Sequence, residues 1–103
     1  MSANSEARHA IDEVVRVVVL PKHLHARPAG QVAQAAARYP DTTIELLAGD
    51  RSANARSILA VMGLGAVAGS EVRIRTAGGE ADGAAATVVA ILTAEEARDV
   101  RKL

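Results

Sequence analysis

The chain of 103 residues contains no cysteine, no tryptophan and no phenylalanine, and Tyr39 is its single tyrosine. Without cysteine there is no disulfide framework and no thiolate metal site, and the composition fits a cytoplasmic protein. Without large aromatics the core must come from Val, Leu, Ile and many Ala, which calls for close packing of small side chains. Formal net charge is zero, with 12 basic and 12 acidic residues, so the broad basic surface of a general nucleic-acid binder is missing. No apolar run approaches the roughly 20 residues needed to cross a membrane. The polar opening lacks the apolar segment of a secretory signal. There is no P-loop and no dinucleotide fingerprint. Asp12, Asp41 and Asp50 are scattered and show no pairing for acid–base work.

What remains suits one domain. Residues 1–11 read as a disordered lead carrying His9, a solvated tail histidine, and residues 12–103 as a single domain. Val14, Val15, Val17, Val18 and Val19 form a β-branched run that predicts a strand over 13–20, with Arg16 marking one face as at least partly wet and Pro21 ending it. Ala29, Val32, Ala33, Ala36 and Ala37 recur at helical spacing and predict a helix over 26–38, stopped by Tyr39-Pro40-Asp41. Gly30, inside that helix, costs about 1 kcal/mol against alanine and suggests close approach to a strand.

A strand over 42–48, with Ile44 and Leu46 inward, a turn at Gly49-Asp50 and a short strand over 51–55 predict a hairpin. Ser57 then precedes a short apolar helix, Ile58 to Met62, ended by Gly63 and Gly65. Residues 70–76 alternate, with Val72 and Ile74 on one side and Arg73 and Arg75 on the other, the pattern of a strand with one solvated face. After a turn at 77–79 a helix is predicted over 80–92, with Ala85, Val88, Val89 and Leu92 inward. Thr93-Ala94-Glu95-Glu96 has the form of a capping box that extends helix to Arg98, with a frayed end at Leu103. The order β-α-β-β-α-β-α predicts an α+β domain: an open-faced two-layer sandwich, its four-stranded antiparallel sheet covered on one face by three helices.

The chemistry gathers at Leu24-His25-Ala26-Arg27-Pro28-Ala29. Proline suits the first turn of a helix, because its missing N–H would be unpaired there. His25 therefore falls at the helix start, where open amides and the helix dipole favour an anion; a phosphoryl group is the natural guest. Imidazole is a nucleophile that titrates near neutral pH. The Arg27 guanidinium offers a forked donor set for phosphate oxygens, and the helix start at Ala26 and Arg27 completes the cradle. His23 and His25 form His-x-His, but no third ligand is evident and no metal is assigned. Ser57 reads as an N-cap. Ile58, Leu59 and Met62 fall at helical spacing beside it; part of the set is expected in the core, with Ile58 and Met62 sharing a face.

The run His25-Ala26-Arg27-Pro28-Ala29 resembles the active-site signature of HPr, the histidine-containing phosphocarrier family of the phosphoenolpyruvate-dependent sugar phosphotransferase system. Arg56-Ser57-Ile58-Leu59-Ala60-Val61-Met62-Gly63-Leu64-Gly65 resembles that family's second signature. The same order of elements extends the resemblance over nearly all of 13–92. The resemblance implies a cytoplasmic phosphoryl carrier, not an enzyme in its own right, with no cofactor and no demand for more than a monomer. It implies that His25 is phosphorylated on Nδ1 by enzyme I and discharged to an EIIA-type domain, with Arg27 steadying the phosphoryl oxygens. It implies that Ile58, Leu59 and Met62 serve as the apolar partner interface. In many Gram-positive relatives the matching serine is phosphorylated by a dedicated kinase. An alternative reading is therefore a regulatory module that acts through Ser57, with an HPr kinase/phosphorylase and a transcriptional regulator as partners. Lys22 and His23 depart from the family's usual small or polar residue and glycine before the Leu-His pair and put side chains into the site loop.

Overall fold

The computed structural model describes residues 13–94; the predicted lead with His9, the helical continuation to Arg98 and the end at Leu103 lie outside the described residues. Four strands, β1 (Glu13–Val19), β2 (Thr42–Ala48), β3 (Arg51–Asn54) and β4 (Glu71–Gly78), form one antiparallel sheet in the order β1-β4-β2-β3. Three helices, α1 (Ala26–Ala37), α2 (Ile58–Met62) and α3 (Ala81–Thr93), cover one face, giving the open-faced sandwich.

The central strand β4 alternates as its sequence requires: Val72, Ile74 and Thr76 are buried beneath the helices and Arg73 and Arg75 face solvent. It runs two residues further than expected, because Ala77 and Gly78 pair with Thr43 and Thr42 of β2. On the open face Arg75 bridges Glu13 and Glu45 from the strands on either side, at 3.5 and 2.7 Å.

Arg16 is exposed, as expected of a partly wet face, yet that face of β1 is the one the helices cover. Arg16 lies on the helix side, 3.5 Å from Asp82 in the first turn of α3, while Val15, Val17 and Val19 are exposed on the open face. Strand period sets this. Val18 must enter the core, and Arg16, two residues before it, shares its side but stays exposed on this edge strand.

The core is built from small aliphatics, as the lack of aromatics demanded. Leu46, Ile74, Val32, Val61, Val72 and Val88 are its largest fully buried apolar side chains, and many alanines fill the gaps. In α1 the buried residues are Ala29, Val32, Ala35 and Ala36; Ala33 is half-buried and Ala37 exposed, contrary to the simple stripe. The stripe is displaced because α1 packs against both other helices as well as resting on the core. Ala84 of α3 is buried where Val89 is only half so. Nothing lies within 4 Å of a Cβ built on Gly30, so no strand approaches it closely.

One arginine ties the layers. The Arg56 Nη2 donates to the carbonyls of Ala36, Tyr39 and Thr42 at 3.1, 2.7 and 3.2 Å, closing the C-terminal end of α1 onto β2. Charge-assisted bonds of this kind contribute more than neutral ones. Arg56→Ala should lower unfolding free energy by about 2 kcal/mol in urea titration; a loss below about 0.5 kcal/mol would show the carbonyls equally well served by water.

Candidate functional site

His25 is the N-cap of α1, with extended backbone at φ −108° and ψ −165°. Its carbonyl accepts from the Ala29 amide at 3.1 Å, and Pro28 has no N–H. The amides of Ala26 and Arg27, as first-turn donors, have no partner within the helix backbone. The Arg27 amide donates to His25 Nδ1 at 3.4 Å, a long contact that holds the lone pair only loosely. That contact fits the neutral tautomer with its proton on Nε2 and its lone pair on Nδ1.

The loop before the helix is held from below. Leu24 is buried and its amide donates to Ala66 at 3.0 Å, while Leu20 exchanges two backbone bonds with Gly69 and Ser70 at 2.9 Å each. A buried leucine next to a half-buried histidine fixes where the imidazole emerges. Arg27 is exposed, and the first turn contains no acidic residue to offset the positive charge it exerts on the His25 ring.

The imidazole of His25 is held below the ordinary histidine range, first by partial burial and then by the positive charges of His23, Lys22 and Arg27. The sign favours chemistry: a lowered value keeps the ring neutral, and nucleophilic, further into acid. Proton NMR titration should place the His25 midpoint below that of a model histidine. His23→Gln should raise it only partway, since burial remains; an unchanged midpoint would remove His23 from the causes.

The His23 and His25 rings lie with centroids 4.8 Å apart and planes tilted by 53°. The His-x-His spacing thus does bring the two together. Among the described residues no group of three His, Cys, Asp or Glu side chains could hold a metal ion.

Ser57 is the N-cap of α2, its hydroxyl accepting from the Ala60 amide at 3.1 Å. Ile58, Leu59 and Met62 are 44%, 80% and 38% exposed, so none of the three belongs to the core as part of the set was expected to. Val61 anchors the helix instead. A five-residue helix can bury only the one direction that faces the sheet. Val67, also exposed, adjoins Ala66, whose carbonyl holds Leu24. Sequence reasoning passed over it because a valine between alanines in a glycine-bounded loop has no periodicity to read.

The arrangement sets a ring nitrogen against the Arg27 amide at a helix start, with an exposed arginine, and leaves apolar side chains of α2 open to solvent. Residues 5–94 match the family described as the PTS HPr component phosphorylation site. Phosphocarrier protein HPr of Lysinibacillus sphaericus is 36% identical over 76 residues, 74% of this chain and 85% of that protein. The crystal structure of a phosphocarrier protein HPr from Bacillus anthracis superposes with a TM-score of 0.72 at 30% identity, covering 79% of this chain and 98% of that one. Crh, the Bacillus subtilis catabolite repression containing protein, superposes at 0.63 with 31% identity over 73% of this chain and 85% of its own, and was seen as a dimer with a swapping domain. The chain belongs to the HPr family, the phosphocarriers of the phosphotransferase system. No described helix is long and apolar enough to cross a membrane.

Proposed function

We propose that this protein carries a phosphoryl group on His25 Nδ1, receiving it from an enzyme I-type protein and delivering it to an EIIA-type domain. The observation that carries the reading is the position of Nδ1, at the N-cap of α1 with its lone pair accepting from the Arg27 amide. The lone pair attacks phosphorus; the new P–N bond forms as the bond to the donor's histidine breaks, and the electron pair stays with that histidine. The Arg27 amide then moves from the ring nitrogen to a phosphoryl oxygen, and the Ala26 amide and Arg27 guanidinium hold the other oxygens. The protein is consumed and regenerated stoichiometrically, so it is a substrate of its partners and not a catalyst. Ile58, Leu59 and Met62 are the apolar surface on which those partners dock.

The test is phosphoryl uptake. Incubated with phosphoenolpyruvate and an enzyme I, the protein should gain one acid-labile phosphoryl group by intact mass. Absence of any gain with the cognate enzyme I overturns the reading.

The likeness to Crh, a protein named for catabolite repression, favours a second, regulatory reading, which we place at Ser57 with a kinase and a transcriptional regulator as partners. The Ser57 hydroxyl already caps α2, and a phosphate there would keep an acceptor oxygen at the helix start while adding up to about two negative charges beside the apolar patch. Acid-stable phosphorylation by an ATP-dependent kinase, lost in Ser57→Ala, is the result that would support it.

A further inference from the structure

His23 stands next to the reactive ring without any part in the reading above. Its ring is exposed and lies 4.8 Å from that of His25, centroid to centroid. We propose that His23 is a titratable second cation of this site, whose protonated ring binds the oxygens of a phosphoryl group on His25 together with Arg27. This inference rests on the carrier reading and deepens it.

The argument is one of changing sign. In the unphosphorylated protein a charged His23 faces a ring that would itself become positive, and the two repel; that repulsion disfavours protonated His25 and leaves the nucleophile available. Once a phosphoryl group with about two negative charges occupies Nδ1, the same imidazolium is next to an anion and attracts it. A group that opposes the proton and favours the phosphoryl has a differential interaction with the two states, which is what an equilibrium responds to. Imidazole can supply this charge conditionally, because it titrates near neutral pH.

Among the described residues, the elements packed around the two rings carry no carboxylate. The charges acting on His25 are His23, Lys22 and Arg27. The segment packed under the loop, residues 63–70, is Gly-Leu-Gly-Ala-Val-Ala-Gly-Ser, without a titratable side chain. Helix α2, packed against α1, has none in Ile58–Met62. In α1, Arg27 is the only charged residue. An attraction between His23 and a phosphoryl group would therefore not be cancelled by a carboxylate on any of these elements.

The sign with pH follows. Attraction is present where His23 is protonated and vanishes as pH rises and it loses its proton.

The experiment is the phosphoryl-transfer equilibrium with enzyme I, read by intact mass at pH 6.0, 7.0 and 8.5, for the native chain, His23→Gln and His23→Lys. Titration of enzyme I cancels when variants are compared at one pH. At pH 6.0 the glutamine variant should hold the phosphoryl group about two- to fivefold less favourably than the native chain, the scale of an exposed ion pair. At pH 8.5 the two should agree, while His23→Lys, charged throughout, should exceed both. The differences should shrink in 0.5 M salt. Equal equilibria for all three at every pH, with His25 phosphorylated normally, would overturn the role of His23 and leave the carrier reading standing. No phosphorylation of the native chain would overturn both.

Discussion

His25→Ala is expected to abolish phosphoryl uptake entirely while the protein stays folded. The loss should be complete because, among the described residues, no other side chain combines a nucleophilic atom with the donor set at the start of α1. His23 is near, but the amide that meets a ring nitrogen is that of Arg27, and it meets His25. Stability should change little. The cap contact that alanine removes is long, 3.4 Å, so its loss costs at most about 1 kcal/mol, and the loop remains anchored by Leu24. Intact mass after incubation with enzyme I and phosphoenolpyruvate reads the first effect, and a thermal melt the second. A phosphoryl group retained on the alanine variant would place the acceptor elsewhere.

The largest loss of stability from adding a single methyl group is expected at Gly78. Its φ is +126°, a backbone conformation that L residues rarely adopt. A Cβ there would run into the Asp41 carbonyl oxygen and lie 3.0 Å from the Cα of Thr42. Neither neighbour can yield readily. Thr42 is buried, pairs with Gly78 across the sheet, and accepts the Glu80 amide at 3.3 Å on its hydroxyl. Next to it the Thr76 hydroxyl donates to the Ala81 carbonyl at 2.7 Å, so the corner from β4 into α3 is tied twice. Strain and overlap together should make Gly78→Ala cost about 2–4 kcal/mol in urea unfolding. Gly49 is the comparison. Its φ is +63°, but nothing lies within 4 Å of a Cβ built there, so Gly49→Ala should cost only about 1 kcal/mol. Equal costs at the two positions would show that the close approach at Gly78 is without consequence.

Gly78 also illustrates where the sequence stops being readable. Ala77-Gly78-Gly79 reads as a turn, yet Gly78 closes β4 as a paired strand residue, because the start of β2 comes so near that a side chain has no room. Local composition carries no information about that neighbour. The displaced stripe of α1 has the same origin: periodicity gives the angle between residues along a helix, but which side is buried depends on how many elements pack against it. Arg16 adds a third case, since alternation groups residues by face without saying which face the helices cover.

The site was legible to a different degree in each part. His25 at a helix start followed from Pro28 and the apolar spacing behind it, and the placement holds because N-cap geometry is local. The exposure of Ile58, Leu59 and Met62 depended on α2 being only one turn and a half long and seated on Val61. The contact between His23 and His25 lay between the two: spacing brought the rings to one side, and only the folded loop set them 4.8 Å apart.

By itself, then, the sequence determined the order of elements, the central alternation of β4, the small-residue core and the helix start that holds His25, all of which depend on neighbours a few residues away. Tertiary structure decided which face of β1 is wet, which alanines of α1 are buried, why Gly78 must lack a side chain, and what surrounds the His25 ring. Those properties depend on groups distant in the chain, brought close when the helices close over one face of the sheet.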